Sequence, residues 1–319
     1  MRAGAYGLSL LSVPLNVHVL TALQEEPLSL IELRRAVGSP PQTTVRGHLK
    51  NLTALGVIER RRAPQFPGAV DYELGEAGRS LLEVAEALEA WLRESPDGPL
   101  ELGGLGARSA IKALIDGWDS AIVRVLAAKP LSLTELNRLI SELNYPSLER
   151  RLGAMRLAGQ IEAAEAKGRG TPYALTPWLR TAVAPICAAA RWERRYAPTQ
   201  AAPIAKLDVE AGLLSCVPLL ELPEETGGLC RLAVQLGGSG GEPTLAGVVV
   251  GIKEGRVFSC VTRLSEAAEA WAVGSANAWM SALIDGDSEL LEVGGDCGLT
   301  YSVLEGLHGV LFRARQSAA

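Results

Sequence analysis

The chain has 319 residues and a mass of 33.7 kDa, room for two or three domains at about 100 to 200 residues each. Hydrophobic residues make up 48% and charged residues 21%, the balance of a soluble globular protein, which excludes global disorder, a collagen-like repeat and a disulfide-dense mini-protein. The net charge of -5 is unevenly spread: Lys plus Arg stand against Asp plus Glu as 10 to 11 in residues 1–95, 0 to 2 in 96–107, 14 to 8 in 108–197 and 7 to 15 in 198–319. A basic middle and an acidic tail suit a protein whose front part meets a polyanion while its back part does something else.

The longest apolar stretches, such as residues 245–252, fall far short of the ~20 residues of a membrane-spanning helix. Residues 2–15 lead through Pro14 straight into an amphipathic pattern with no small-residue cleavage site, so no secretory leader is read and the expected compartment is the cytoplasm, without membrane contact. The five cysteines, Cys187, Cys216, Cys230, Cys260 and Cys297, are never spaced C-x-x-C and read as small buried hydrophobes. His18, His48 and His308 have no carboxylate or cysteine at ligand spacing, so neither a metal nor another cofactor is expected.

In chain order, residues 16–24 carry Val17, Leu20 and Leu23 at helical spacing, and Ser29 with Glu32 forms the signature of a capping box at the start of a second helix. After a break at residues 38–41, a third helix is predicted over 42–55, with Val45, Leu49 and Leu52 turned inward and Gly56 as its left-handed cap. Residues 57–62 and 70–74 read as two strands of a hairpin around a Pro/Gly turn at 63–68, and 76–91 as a long amphipathic helix.

This unit occurs twice. Pro27-Leu-Ser-Leu-Ile-Glu-Leu-Arg-Arg35 is echoed by Pro130-Leu-Ser-Leu-Thr-Glu-Leu-Asn-Arg138, with seven of nine positions matching at an offset of 103. At the same offset Leu49, Leu52, Gly56, Ile58 and Glu59 fall on Leu152, Met155, Gly159, Ile161 and Glu162. Residues 94–107, with Pro96, Gly98, Pro99, Gly103, Gly104 and Gly106, read as the connection between the copies.

The stretches Ser29-Leu-Ile-Glu-Leu-Arg-Arg, Val45-Arg-Gly-His-Leu-Lys-Asn-Leu-Thr-Ala-Leu-Gly-Val-Ile-Glu-Arg and Val70-Asp-Tyr-Glu-Leu-Gly-Glu-Ala-Gly resemble the winged helix-turn-helix transcription regulators of the HxlR and ArsR types. The likeness covers residues 15–93 and, more weakly, 110–195. A helix fits the major groove of DNA, and its outward residues near the N-terminus reach base edges. The candidates in the first copy are Gln42, Thr43, Thr44, Arg46, His48 and Lys50, and the resemblance implies that Arg60, Arg61 and Arg62 lie in a wing along phosphates. The second copy offers Ser147, Arg150 and Arg151 on a helix starting at 146 or 147, and Lys167 and Arg169 in its wing, but Glu149 stands where the first copy has Arg46. One intact reader and one altered reader are expected, and the helices 76–93 and 177–196 are candidates for a pseudo-dimer seam or simply for packing on their own domains.

Beyond residue 203 the composition turns acidic. Residues 212–217, 230–236, 244–252 and 256–261 read as strands, 265–272 and 275–284 as helices, 290–293 as a further strand and 300–312 as a closing helix. The run Ala270-Trp-Ala-Val-Gly-Ser-Ala-Asn-Ala-Trp-Met-Ser-Ala-Leu-Ile-Asp-Gly286, followed by Leu290-Leu-Glu-Val-Gly-Gly-Asp and a C-terminal helix, resembles the sterol carrier protein 2 fold of bacterial regulators. That resemblance implies an apolar cavity, with Trp271, Trp279, Met280, Leu283, Leu304 and Leu307 either lining it or merely filling the core.

The expected architecture is multidomain: two mostly helical α+β winged-helix domains at 1–95 and 108–197, joined by a linker at 96–107, then an α+β domain at 198–319 with one sheet and helices on one side. The expected function is a regulator that grips double-stranded DNA with two winged helices in one chain and holds a hydrophobic small-molecule effector in its tail, as one chain or as a homodimer. The alternative is a winged-helix interaction scaffold, or a lipid-binding protein without specific DNA binding. No enzyme is expected: G-x-S-x-G, G-x-x-x-x-G-K and H-E-x-x-H are missing, and the glycine run at 237–241 lacks the lysine and helix of a phosphate loop.

Overall fold

The computed structural model describes residues 2–62, 70–140, 142–164, 171–237 and 244–312. The chain divides into two compact units, one of Met1–Ile115 with Pro185–Ala202, the other of Asp116–Ala184 with Pro203–Ala319.

The first unit begins with α1 (Ala5–Leu11) and α2 (Pro14–Glu25), followed by β1 (Leu28–Ser29), α3 (Leu30–Ala36) and α4 (Gln42–Ala54). The strands β2 (Ile58–Arg62) and β3 (Val70–Leu74) lead into α5 (Glu76–Arg93) and, after a loop, α6 (Leu105–Gly117). The capping box at the start of α3 is complete: Ser29 Oγ accepts from the Glu32 amide while the Glu32 carboxylate accepts from the Ser29 amide. Val45, Leu49 and Leu52 face inward from α4, as their spacing requires, and Gly56 (φ 66°) ends the helix in the left-handed region. Strand order is β1-β3-β2, all antiparallel. A Cβ on Gly78 would stand 2.0 Å from the Val57 carbonyl oxygen, so the bare glycine lets α5 sit directly against the chain leaving α4.

Helix α1 was not foreseen in the sequence, where residues 2–15 showed only scattered apolar positions. Its partners are remote: Leu8 and Leu11 are fully buried, and Glu193 accepts from the amides of Gly4 and Gly7 at 2.8 and 2.9 Å. The stretch read as a linker is partly structured, since α6 begins at Leu105 and Leu102 and Ala107 are buried. The turn at 63–68 lies outside the described residues, as does the basic loop of Lys167 and Arg169.

The second unit opens with α7 (Ser120–Ala128), β4 (Leu131–Ser132), α8 (Leu133–Leu139), α9 (Tyr145–Leu157), β5 (Ile161–Ala163), β6 (Pro172–Leu175) and α10 (Pro177–Thr181). Its small sheet runs β4-β6-β5, with the last strand in the middle as in the first unit, and Ser132 with Glu135 repeats the capping box. The helix expected over 177–196 is broken at Ala182, where α10 ends and α11 (Val183–Tyr196) begins.

The rest of this unit comprises α12 (Lys206–Cys216), a short 3-10 turn, β7 (Gly228–Leu236), β8 (Thr244–Lys253), β9 (Arg256–Val261), β10 (Ala270–Ser275), α13 (Ala276–Asp285), β11 (Glu292–Gly295) and α14 (Cys297–Phe312). Strand order is β11-β10-β7-β8-β9, antiparallel except for the parallel pair β10 and β7. Two expectations fail here. Residues 212–216 belong to helix α12 and Val217 starts the 3-10 turn after it; the final turns of α12 are almost wholly buried and therefore carry no period. The helix expected over 265–272 does not form: 265–269 are irregular, and 270–272 start strand β10 because its pairing with β7 and β11 outweighs the helical composition of residues 266–270. Residues 246–252 of β8 are all buried, so both faces of the sheet are covered, not one.

Cys216 and Cys230 are buried and Cys187 and Cys260 half-buried, but Cys297 is exposed, unlike the buried role expected for it; all are free thiols. Among the described residues no group of His, Cys, Asp and Glu is arranged to hold a metal ion, and no single helix is long and apolar enough to cross a membrane.

Candidate nucleic-acid interface

Helix α4 is amphipathic for a local reason. Three aliphatic residues one turn apart fix its inner side, so Gln42, Thr43, Thr44, Arg46 and Lys50 are left exposed. No side chain caps its N-terminus, where Pro41 precedes the first turn. Helix amides that lack side-chain acceptors favour an anion beside them.

The hairpin supplies the second wall. Side chains alternate along β2, so Arg60 and Arg62 share one face and Arg61 takes the other. Arg60 stands opposite Tyr72 in the ladder, with its guanidinium over the ring at 5.9 Å from the centroid. Arg61 reaches the Glu73 carboxylate at 3.4 Å, so its charge is partly answered within the hairpin. Arg46, Lys50 and Arg60, together with Leu30, Thr53, Val70 and Tyr72, line one groove of about 660 Å3 between helix and wing. The structure thus gathers three of the predicted basic residues at one concave surface.

His48 has a different place. Its Nδ1 lies 2.8 Å from the Asn16 Oδ1 on α2, and the Asn16 amide nitrogen donates to the Leu10 carbonyl. The amide is therefore oriented with its oxygen toward the imidazole, which donates from Nδ1. Asn16 is buried and His48 half-buried. The pair fastens α4 to α2, a role invisible in the helical wheel because Asn16 looked like an ordinary first-turn polar residue.

In the second unit the equivalent helix, α9, buries Leu148, Leu152 and Met155 and exposes Glu149 and Arg150, with Ser147 half-buried. Its N-terminus is occupied: the Asn144 side chain accepts from the Ser147 amide at 3.0 Å. Arg151 is exposed but paired with Asp119 at 2.7 Å. At the offset of 103, Arg60, Arg61 and Arg62 fall on Ala163, Ala164 and Glu165, and Lys50 falls on Gly153. Among the described residues the basic side chains of that groove have no counterpart here.

The six residues proposed for an apolar cavity are mostly packed. Trp279 is buried, with its indole N–H donating to the Ala233 carbonyl at 2.8 Å, and Met280, Leu283, Leu304 and Leu307 are buried around it on α13 and α14. Trp271 is half-buried and lies flat against Gly294, its partner across β10 and β11. Leu304 also borders a hollow of about 150 Å3 with Tyr301, Glu305 and His308.

Glu193 escaped sequence analysis. In the run Arg-Trp-Glu-Arg-Arg it reads as surface charge, yet it is buried. Burial raises its pKa, opposed by the backbone amides of Gly7, Gly4 and Tyr6 and by the Arg2 charge. Beside it on α11, Trp192 donates its indole N–H to the Ala77 carbonyl, and Arg195 and Tyr196 both reach Glu76 on α5.

Residues 13–97 match the HxlR-like helix-turn-helix family, a span that runs from the start of α2 just past the end of α5. Over 87 residues, 27% of this chain and 77% of the relative, the chain is 33% identical to an HTH-type transcriptional regulator of Halalkalibacterium halodurans. It is 32% identical over 73 residues to an HTH-type transcriptional regulator of Methanothermobacter thermautotrophicus, covering 56% of that protein, and 42% identical over 60 residues to the HTH-type transcriptional regulator YtcD of Bacillus subtilis, covering 48%. With the helix, the wing and the groove between them built from the matching segment, the chain belongs to the HxlR-like helix-turn-helix family and is a winged helix-turn-helix regulator.

Proposed function

We propose that this regulator is cytoplasmic and reads double-stranded DNA chiefly through its first 95 residues, with α4 in the major groove and Arg60 and Arg62 of the wing against phosphates. The observation that carries the reading is the groove in which Arg46 and Lys50 of α4 converge with Arg60 of the wing. Gln42, Thr43, Thr44 and Arg46 are the residues that reach base edges.

Residues 108–197 form the second copy of the unit in this proposal. Support comes from the seven-of-nine repeat, the duplicated capping box and the matching strand orders. The two copies would face neighbouring half-sites about one helical turn apart. The contacts of Trp192, Arg195 and Tyr196 with α5 support a seam between the helices that end each copy. The second copy would supply little phosphate grip, since Arg151 is committed to Asp119 and the strand β5 has alanine where β2 has Arg60. Residues 198–319 would hold an effector that biases DNA affinity by its differential binding to the two states.

The test is fluorescence anisotropy of the full chain with a labelled duplex from its own upstream region and a scrambled duplex, at about 50 and 200 mM salt. Tighter binding to the native duplex, weakened by salt and by Arg46→Ala and Arg60→Ala, is expected. Equal binding to both duplexes that neither substitution changes would sink DNA reading and leave an interaction module.

A further inference from the structure

The second unit holds a groove of about 340 Å3, at the lower end of the roughly 300 to 1,000 Å3 of small-molecule sites. None of the residues that line it comes from α13 or α14, the helices packed around Trp279. Its walls come from the end of α7 (Val125, Ala128), from Leu131 and Leu139, from Leu214 of α12 and from Val261 at the end of β9. Leu139 is a large aliphatic side chain left 58% exposed, and an occupant of the groove would cover it.

The polar groups at this groove are of one sign. Arg124, Lys129 and Arg263 border it, and no carboxylate does. Arg124 is held by the buried Glu210 and by Thr262 Oγ1, so it fixes the wall instead of offering a free charge. Arg263 meets Glu266 only at 3.7 Å across an exposed surface, and Lys129 makes no ion pair among the described residues. Cys260, whose thiol burial pushes up to about 12, stays neutral and adds no negative charge. An aliphatic body against these six aliphatic side chains and an anionic head at Lys129 and Arg263 is the occupant this chemistry fits.

We propose that this groove binds a small amphiphile with an aliphatic chain and a carboxylate head. The inference rests on the reading of residues 198–319 as part of an effector sensor and supplies both the place and the chemical class. The groove is shared by α7, α8, α12 and β9, so an occupant would bridge the helices of the second repeat and the edge of the large sheet.

The experiment is calorimetric titration of the full chain, without DNA, by octanoate, with octanol and octylamine as neutral and cationic controls of equal chain length. Saturable binding of one octanoate per chain, at least tenfold tighter than either control, is expected. Lys129→Gln and Arg263→Gln should each weaken it several-fold, and Ala128→Trp, a change at an exposed position that fills the groove, should abolish it while circular dichroism is unchanged. Octanoate binding no tighter than octanol, or unaffected by Ala128→Trp and Lys129→Gln, overturns the proposal. Binding that survives Ala128→Trp but is lost in Leu304→Trp would put the ligand inside the α13–α14 core, which sinks this groove and leaves an effector reading standing. Binding at the groove that leaves DNA affinity unchanged would sink the effector reading and keep the site.

Discussion

Three adjacent arginines look interchangeable in sequence, but the pleat of β2 separates them. Arg60 faces the groove with Arg46 and Lys50, whereas Arg61 points to Glu73. Removing one phosphate contact lowers the slope of log affinity against log salt by about 1. Arg60→Ala is therefore expected to flatten that slope by about one and weaken binding to native and scrambled duplexes alike; Arg61→Ala should leave affinity within about twofold, because an exposed pair held at 3.4 Å contributes little to either state. Anisotropy at several salt concentrations distinguishes the two, and equal losses would refute the division of faces. Glu193 shows the opposite limit of legibility: its partners, the amides of Gly4 and Gly7, lie 189 and 186 residues away in sequence. Its folded pKa is raised, so the folded state keeps a proton that the unfolded chain has already released. Stability is then greatest below the ordinary carboxylate range and falls as pH rises through the interval up to the raised value. Thermal melts across that interval should show the decline, and Glu193→Gln should flatten it. Glu193→Ala, which leaves two buried amides unpaired, is expected to cost roughly 1–3 kcal/mol by denaturant unfolding.

At the level of elements, what was legible was periodic or locally capped. The third helix and the two strands after it, the capping boxes of Ser29 and Ser132, and the strand from 256 to 261 all follow from short-range patterns. What was not legible depends on surroundings. Helix α12 is buried around its final turns, so its apolar run has no polar face to betray a helical period, and strand β10 exists because two neighbours bracket it. Helix α1 was missed for the same reason, since it is held by Glu193 and by packing and has only seven residues of its own. Packing distance makes a sharper prediction. Gly78 in α5 and Gly47 in α4 are both helical glycines, for which alanine is intrinsically better by roughly 0.5–1 kcal/mol. A Cβ at Gly47 meets nothing within 4 Å, but one at Gly78 collides with the Val57 carbonyl at 2.0 Å. Gly47→Ala is expected to stabilise the protein by up to about 1 kcal/mol and Gly78→Ala to destabilise it by roughly 1–3 kcal/mol. Denaturant midpoints with unchanged slopes would check both, and a stabilising Gly78→Ala would mean that α5 does not rest on that carbonyl.

For the whole molecule the question is how the two copies proposed for residues 1–95 and 108–197 would divide their labour when their charges differ. Residues 1–95 and 108–197 carry 10 and 14 of the 31 basic residues, while residues 198–319 stand at 7 basic against 15 acidic, a field that repels DNA over a distance of about one Debye length, ~10 Å at 0.1 M salt. Attraction has to come from local clusters, and among the described residues the first copy's groove is such a cluster while the corresponding face of the second carries Glu149 and Ala163. If the second copy lies on the same duplex, as proposed, its deficit is one of local charge on the described face and not of shape, because α9 keeps a buried triplet, Leu148, Leu152 and Met155, at the matching positions. Restoring the charge should then restore grip. The double substitution Glu149→Arg with Ala163→Arg, both at exposed positions, replaces a repulsive group and adds two cations where Arg46 and Arg60 stand in the first copy. The expected result is tighter binding to native and scrambled duplexes alike, with the salt slope steeper by roughly 1 to 2, since each new phosphate contact contributes about 0.9. The same substitutions made in a chain carrying Arg46→Ala and Arg60→Ala should recover part of the lost affinity but not the preference for the native sequence, because base reading would still belong to the first helix. No change in slope in either background would mean that the second copy never comes within reach of the phosphates, and the pseudo-dimeric grip would have to be given up in favour of one reader per chain.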